Sequence, residues 1–148
     1  LAVINNNKQK GNMKMNKAYL INPHEAEVTA VKIPQDDHVK IQELIECRCF
    51  GVGGYLDNGD VVYIDDEGLF DATHFFRMKD INGGMPLAGK GIVIGTGKEG
   101  ASADAKTSES ELLEMVRWVY AMDRRGEVLF DVKASAKGQA ARTEVVTL

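Results

Sequence analysis

The densest group of potentially reactive side chains is a run of acidic residues between positions 57 and 71. It contains six carboxylates and no basic residue: Asp57, Asp60, Asp65, Asp66, Glu67 and Asp71. Hard cations such as Ca²⁺ and Mg²⁺ bind where several oxygen ligands converge. The Asp-x-Asx-x-Asx-Gly spacing of calcium loops is absent, and Asp57 and Asp60 flank a turn, so we predict no metal site here. The functional interpretation is an acidic surface that docks a basic protein or mimics DNA phosphates, and the alternative is a solvated turn.

A glycine-rich segment at residues 95–98 (GTGK) has the residue types of a phosphate-binding loop. The spacing of such a loop would place its first glycine at position 92, which is Ile92, and its hydroxyl at position 99, which is Glu99. No helix is predicted close behind the segment to receive a phosphate at its N-terminus. We therefore interpret the glycines of residues 89–97 as turns into and out of a buried strand, and we predict no nucleotide cofactor.

Two cysteines and three histidines are the remaining candidates for metal ligands or nucleophiles. Cys47 and Cys49 are separated by one residue, whereas structural zinc sites use two to four. A disulfide across that spacing is strained, so we expect two reduced thiols. His24 lies in a predicted turn, His38 in a first helical turn and His74 beside an aromatic pair. These side chains predict neither a metal centre nor a catalytic residue.

The aromatic pair Phe75 and Phe76 stands in a stretch without regular periodicity. Because loops carry function disproportionately, we interpret residues 75–87 as a docking loop. The alternative is that both phenyl rings plug one end of a sheet. A rival site is a pocket between the hairpin that carries the acidic run, called the acidic hairpin, and the bend at residues 86–90, called the PLAG bend. Together these hypotheses give the predicted binding residues: Asp65, Asp66, His74, Phe75, Phe76, Arg77 and Lys90.

Short apolar or alternating runs between turn residues predict the strands that position these side chains. The predicted strands span residues 17–22, 27–33, 49–56, 61–65, 91–95 and 127–133. Turn residues within the first two pairs predict two hairpins. The second hairpin turns at Asn58 and Gly59, a pair typical of a type I′ turn because both residues tolerate a positive φ. Residues 72–90 are predicted to be irregular.

Two helices are predicted between the strands. One begins at Asp36 or Asp37, whose carboxylate can cap it, and ends near Arg48. The other begins at Ser108, which forms a capping box with the acid three residues later, and runs to about Arg125. Since strands dominate without a strict βαβ alternation, we predict an α+β fold. It consists of an antiparallel or mixed sheet of about six strands with two helices packed on it.

The chain has 148 residues, of which 44% are hydrophobic and 27% charged, as in ordinary globular domains. We expect a flexible leader at residues 1–16, a single domain at 17–133 and a C-terminal tail at 134–148. The net charge of −4 is concentrated in the domain, because leader and tail are basic, so the domain is expected to repel nucleic acid. No apolar run is long enough to cross a bilayer, and we expect a cytoplasmic protein without membrane association. Nothing in the sequence indicates an assembly state.

The segments GDVVYIDDEGLF (residues 59–70), FF (75–76) and PLAGKGIVIGTG (86–97) carry a family resemblance. They resemble a family of small proteins of bacteria, phages and plasmids that is catalogued as a domain of unknown function. The resemblance extends from about Lys17 to Val119, and PLAG-x-G followed by aliphatic residues and glycine is its most specific part. It implies a mobile-element origin and a similar fold, and it brings no catalytic residues.

Two functional hypotheses follow. The first is a phage or plasmid accessory protein that binds a basic host or phage protein, or a small ligand, through its acidic face and docking loop, without catalysis. The rival is a small enzyme or nucleotide-ligand-binding protein that uses the pocket between the acidic hairpin and the PLAG bend. Convergence of Asp66, His74, Arg77 and Lys90 on one concave surface would favour the rival.

Overall fold

The computed structural model describes residues 13–68, 73–136 and 146–147. Within these ranges the chain forms strands and two α-helices. The strands are β1 (Met15–Asn22), β2 (Glu27–Pro34), β3 (Phe50–Tyr55), β4 (Val61–Asp65), β5 (Phe75–Met78), β6 (Leu87–Ala88), β7 (Gly91–Thr96), β8 (Ser102–Ala103), β9 (Val116–Met122), β10 (Val128–Lys133) and β11 (Val146–Thr147). The helices are α1 (His38–Ile45) and α2 (Glu109–Met115).

The strands of the described residues form two sheets. The first has the order β2-β1-β7-β4-β3, with β8 added on β7, and all its pairings are antiparallel. The second has the order β10-β9-β5-β6, with β11 parallel to β9. The predicted α+β class is confirmed, but two sheets stand where we predicted one. The predicted strand at residues 91–95 is β7, at the centre of the first sheet.

Alternate residues of the first sheet enter two different hydrophobic clusters. Val62 and Val93 face the second sheet and contact a cluster that includes Phe76 and Trp118. The residues before and after them, among them Val61, face the opposite side. There they join a cluster that includes two side chains of α1, Ile41 and Ile45. The first sheet is therefore apolar on both faces, which explains why β7 consists almost entirely of buried residues.

Two glycines of β7 are required by close approaches of other groups. A Cβ atom on Gly91 would lie 2.8 Å from Cζ of Phe76, inside the core. A Cβ atom on Gly95 would overlap the carbonyl oxygen of Asp104. Both positions agree with the interpretation that these glycines serve the path of the backbone and not the binding of a phosphate.

The two predicted hairpins are confirmed, but the turn of the second is different from the prediction. Gly59 has a φ of 94°, while Asn58 does not have a positive φ. The Gly59 N–H donates to the Leu56 carbonyl, and the Leu56 N–H donates to the Asp60 carbonyl. This is the three-residue connection in which a glycine in the left-handed region follows a type I turn.

Both helices begin where the sequence predicts and end earlier. Asp37 caps α1, since its Oδ1 accepts a 3.0 Å hydrogen bond from the Lys40 N–H. The helix ends at Glu46, which has a φ of 61°, and not at Arg48. The capping box at Ser108 is confirmed, but α2 ends at Met115 and the prediction of a helix to Arg125 was wrong.

The chain leaves α2 directly into β9, which lies between β10 and β5. Because residues 75–78 form β5 and residues 87–88 form β6, the prediction that residues 72–90 are irregular was wrong at these two strands. β1 begins at Met15, inside the predicted leader, and β11 lies inside the predicted tail. The rest of the predicted leader and tail, residues 1–12, 137–145 and 148, is outside the described residues. None of the described helices is long and apolar enough to span a bilayer.

Candidate functional site

Three of the predicted binding residues line one small pocket formed by loops beside the first sheet. We call it the histidine pocket. It has a volume of about 190 Å³, and its polar lining residues are His24, Glu46, Asp65, Thr73, His74 and Lys90. They come from the β1–β2 turn, the end of α1, the end of β4, the approach to β5 and the bend before β7.

Local backbone contacts hold the two histidines in place. Oδ1 of Asn22 accepts hydrogen bonds from the N–H groups of His24 and Glu25, which fixes the β1–β2 turn. The carbonyl of His74 accepts from the Gly89 N–H at 2.9 Å. Gly89 has a φ of 75°, so the PLAG bend turns at a residue without a side chain and reaches the segment before β5.

The imidazole rings of His24 and His74 lie against each other, with centroids 4.3 Å apart and planes inclined by 36°. Nδ1 of His74 is 2.8 Å from the Thr73 hydroxyl. Beside the rings, Nζ of Lys90 contacts Oε2 of Glu46 at 2.6 Å. The Lys90 side chain is mostly buried and the Glu46 side chain mostly exposed, so this ion pair closes one side of the pocket.

Two groups of the pocket have shifted pKa values. The pKa of His24 is lowered from its ordinary 6.5, first by partial burial of the ring and then by the neighbouring His74 and Lys90, although the residue as a whole is exposed. The pKa of Glu46 is lowered by the hydrogen bond and the charge of Lys90. At neutral pH the pocket therefore contains a neutral His24 beside an ionised Lys90–Glu46 pair.

These groups are suited to hydrogen bonding with a small polar molecule. A neutral imidazole offers one donor and one acceptor. The pocket lining contains two acidic residues, Glu46 and Asp65, and one basic residue, Lys90, so its formal charge is negative, which disfavours an anion. Within the ranges that the structure describes, no three His, Cys, Asp or Glu side chains are placed to hold a metal ion.

The structure does not bring Asp66 or Arg77 to this pocket. Asp66 is exposed in the turn after β4 and lines a separate cavity near Leu87 and Ala88. Arg77 lies on β5 and lines a groove on the outer face of the second sheet. Of the four residues whose convergence would favour the rival hypothesis, only His74 and Lys90 are together.

The aromatic pair is inside the molecule. Phe75 is 7% exposed and Phe76 is fully buried, on opposite faces of β5. Neither ring is exposed to a partner, so the docking loop predicted at residues 75–87 cannot use these aromatic side chains for binding. The alternative interpretation, in which both rings plug one end of a sheet, agrees with their burial, but the two rings enter different clusters on opposite faces of β5.

The acidic run does not form a continuous surface. Asp60 is fully buried, and Glu67 pairs with Arg48 at 2.7 Å. Asp65 accepts the Glu67 N–H at 2.9 Å, while Asp57 is exposed. The last acid of the predicted run, at position 71, is outside the described residues.

Sequence reasoning missed four residues that the structure places at potential sites. His24 and Glu46 belong to the histidine pocket, and Arg117 and Asp131 belong to the groove beside Arg77. The two pocket residues carry no distinctive local signal, since one is in a turn and the other is within a predicted helix. At Arg117 the local signal is ambiguous, because Val116, Trp118 and Tyr120 alternate as in a strand while Val116, Val119 and Tyr120 also fit a helical stripe.

Comparison with known proteins gives a family and no activity. The family model described as Domain of unknown function (DUF3846) matches residues 13–117. No curated protein and no solved structure matches the chain.

Proposed function

The chain belongs to the family described as Domain of unknown function (DUF3846), and we propose that this member binds a small polar molecule in the histidine pocket. Its role is that of a ligand-binding accessory protein and not of an enzyme. The observation that carries the proposal is the convergence of five titratable side chains from five separate segments: His24, Glu46, Asp65, His74 and Lys90. A phage or plasmid origin belongs to the proposal through the motif resemblance, and the cytoplasmic location expected from the sequence remains part of the proposal.

The placement of these groups on loops supports a binding role. Side chains that serve only the fold are mostly apolar and lie on the strands, whereas binding residues concentrate on loops held by a rigid scaffold. Shifted pKa values clustered in one concavity are a further mark of functional sites. Here the shifted groups are His24 and Glu46. Neither is needed to fill a hydrophobic cluster.

Size and charge define the ligand class. A volume of about 190 Å³ corresponds to roughly six water molecules at about 30 Å³ each. The excess negative charge opposes a phosphate, so the nucleotide of the rival hypothesis has little support at this pocket. A small amine or a neutral hydrogen-bonding heterocycle fits both the space and the charge.

The test is a screen of small amines and neutral heterocycles by protein-observed NMR at pH 7.5. Compounds that bind the wild type are expected to bind His74→Ala about tenfold more weakly, since one wall of the pocket is lost. The matched control is His38→Ala, because His38 is an exposed histidine outside the pocket. Equal affinity for all three proteins, or binding of phosphates in place of amines, would overturn the proposal.

One observation favours a second candidate, a small enzyme that uses the same pocket. An imidazole that lines a pocket can act as a general base, and His24 lies in one with its ring against that of His74. If a compound that binds is also chemically altered on incubation, and His24→Gln abolishes the alteration without preventing binding, the enzyme hypothesis is correct. Recovery of the unaltered compound supports the binding protein.

A basic protein partner has less structural support than it had from sequence. The acidic residues that would form its docking face are divided between buried and exposed positions, and Arg48 already neutralises Glu67. We retain this partner as a proposal for the exposed Asp57 and Asp66. Salt-sensitive co-purification that is lost in Asp66→Asn would support it.

A further inference from the structure

Two arginines stand directly opposite each other on neighbouring antiparallel strands. In the pairing of β5 with β9, Arg77 is opposite Arg117. Like charges at directly opposed positions of a sheet are destabilising. This pair therefore needs negative charge close to it.

One acid lies between the arginines. Nε of Arg117 donates to Oδ1 of Asp131 at 2.8 Å, and Nε of Arg77 lies 2.9 Å from Oδ2 in an ion pair without the alignment of a hydrogen bond. The Asp131 side chain is 11% exposed, and its Oδ2 is buried without a hydrogen bond. Two guanidinium groups thus share one carboxylate, and one positive charge is left over.

The surplus charge is accessible. The side chains of Arg77 and Arg117 are 36% and 34% exposed. Each guanidinium carries five N–H donors. The Nε donor of Arg117 is directed at Asp131, while Nε of Arg77 lies near Asp131 without donating to it. The other donors can serve a ligand.

Both arginines line a groove large enough for a small molecule, which we call the arginine groove. Its volume is about 670 Å³, within the roughly 300–1,000 Å³ that ligand sites occupy. Met115 contributes an apolar contact, and Gly83 and Gly84 form part of the wall. A Cβ atom on either glycine would meet nothing within 4 Å, so this side of the groove is open.

The other charges of the groove do not neutralise the arginines. Glu114 pairs with Lys133 at 3.0 Å. Lys79 and Asp80 are adjacent residues of opposite charge that also line the groove. The groove lining contains three basic and three acidic residues. Because Glu114 is already paired with Lys133, which lies outside the lining, one positive charge stays with the arginine pair.

We propose that the arginine groove is a second binding site and that it takes a small organic oxyanion. Arginine forks match the geometry of carboxylate and phosphate oxygens, which is why arginine is enriched where such groups are bound. The oxyanion accepts hydrogen bonds from Arg77 and Arg117 and supplies the negative charge that Asp131 alone does not provide. The organic part of the ligand lies against Met115.

The test is isothermal titration calorimetry of the full chain at low ionic strength, with citrate and with inorganic pyrophosphate as the two ligands. We expect both variants Arg77→Gln and Arg117→Gln to bind at least about tenfold more weakly than the wild type. The matched control, Arg125→Gln, removes an arginine whose side chain is 88% exposed and lies outside the groove, and it should bind as the wild type does. The stronger of the two probes identifies the carboxylate or the phosphate class.

Unchanged binding in both groove variants, or no binding of either probe to the wild type, would overturn the proposal. Arg77→Gln leaves the hydrogen-bonded Arg117–Asp131 pair intact, so it tests binding even if Arg117→Gln does not fold. Arg117→Lys keeps the charge without the fork, and partial recovery of affinity in this variant would show that charge contributes. His74→Ala should bind both probes normally, so failure at one site is distinguishable from failure at the other.

Discussion

At the scale of single residues, the buried carboxylate of Asp60 illustrates how one polar side chain can join two distant parts of the chain. It accepts hydrogen bonds from the backbone N–H groups of Lys106 and Thr107 and from the Thr107 hydroxyl, at 2.7 to 3.1 Å. Asn58 donates to the same hydroxyl at 2.8 Å. A buried carboxylate is tolerable only with such partners, so the β3–β4 turn and the segment before α2 depend on each other.

We predict that Asp60→Ala lowers the free energy of unfolding by about 3 kcal/mol, because it leaves two backbone donors and a hydroxyl buried without an acceptor. Urea denaturation followed by circular dichroism measures the change. Asp57→Ala is the control, since Asp57 is an exposed acid of the same turn, and it should change stability by less than about 0.5 kcal/mol. Equal effects of the two substitutions would contradict the role of Asp60.

His24 gives a prediction on pH dependence. Its pKa is lower in the folded state than the ordinary 6.5, so on acidification the unfolded state takes up the proton first. The stability contributed by the neutral ring is fully present above pH 6.5 and is lost as the pH falls through the folded pKa. We expect the free energy of unfolding to decrease between pH 7.5 and pH 5, and His24→Gln to remove part of that decrease.

Urea titrations at several pH values measure this dependence. A His24→Gln profile identical to that of the wild type would show that the environment of the ring does not influence its protonation.

At the scale of elements, β9 shows why part of the fold could be predicted from sequence and part could not. The hairpins and β7 have local signals, namely turn residues and short apolar runs, and their prediction succeeded. Residues 112, 116, 119 and 120 fit a helical stripe, while Val116, Trp118 and Tyr120 also fit a strand with alternate residues facing the core between the sheets. Pairing with β5 decides between the two, and pairing between distant segments leaves no local signal.

The same limit applies to the sites. The pocket between the acidic hairpin and the PLAG bend could be anticipated, because Asp65 and Lys90 stand next to predicted strand ends. The contact of Arg77 with Arg117 could not be anticipated, since Arg117 was assigned to a helix. The register that places the two arginines opposite each other is a property of the folded sheet. Phe75 and Phe76 were assigned to a loop for the same reason.

The close approach at Gly95 gives a prediction at the scale of β7. Gly95→Ala would place a methyl group against the backbone carbonyl of Asp104, which cannot move freely because Lys17 binds the same segment. We expect a loss of about 3 kcal/mol or failure to fold, compared with less than about 1 kcal/mol for Gly97→Ala. At Gly97 the nearest atoms would be 3.5 and 3.6 Å away, an ordinary contact. Urea denaturation compares the variants, and similar losses would show that the close approach is not a constraint.

At the scale of the whole molecule, the two sheets share one core but present two separate sites. Adjacent residues of β5 point to opposite faces, so Phe76 enters the core while Arg77 lies in the arginine groove. The histidine pocket is built from loops next to the first sheet. A common core holds both sites in one fold, while no lining residue belongs to both.

The shared core predicts that the sheets unfold together. Trp118 is the only tryptophan of the chain, is 3% exposed, and belongs to the cluster that joins the second sheet to Tyr19 and Val93 of the first. Its fluorescence therefore reports on contact between the sheets, while far-ultraviolet circular dichroism reports on the strands themselves. Because exposing one side of this cluster also exposes the other, we expect the two urea transitions to have the same midpoint and slope. A fluorescence transition at lower urea than the circular dichroism transition would mean that the second sheet detaches first and that the two sites belong to separately stable parts.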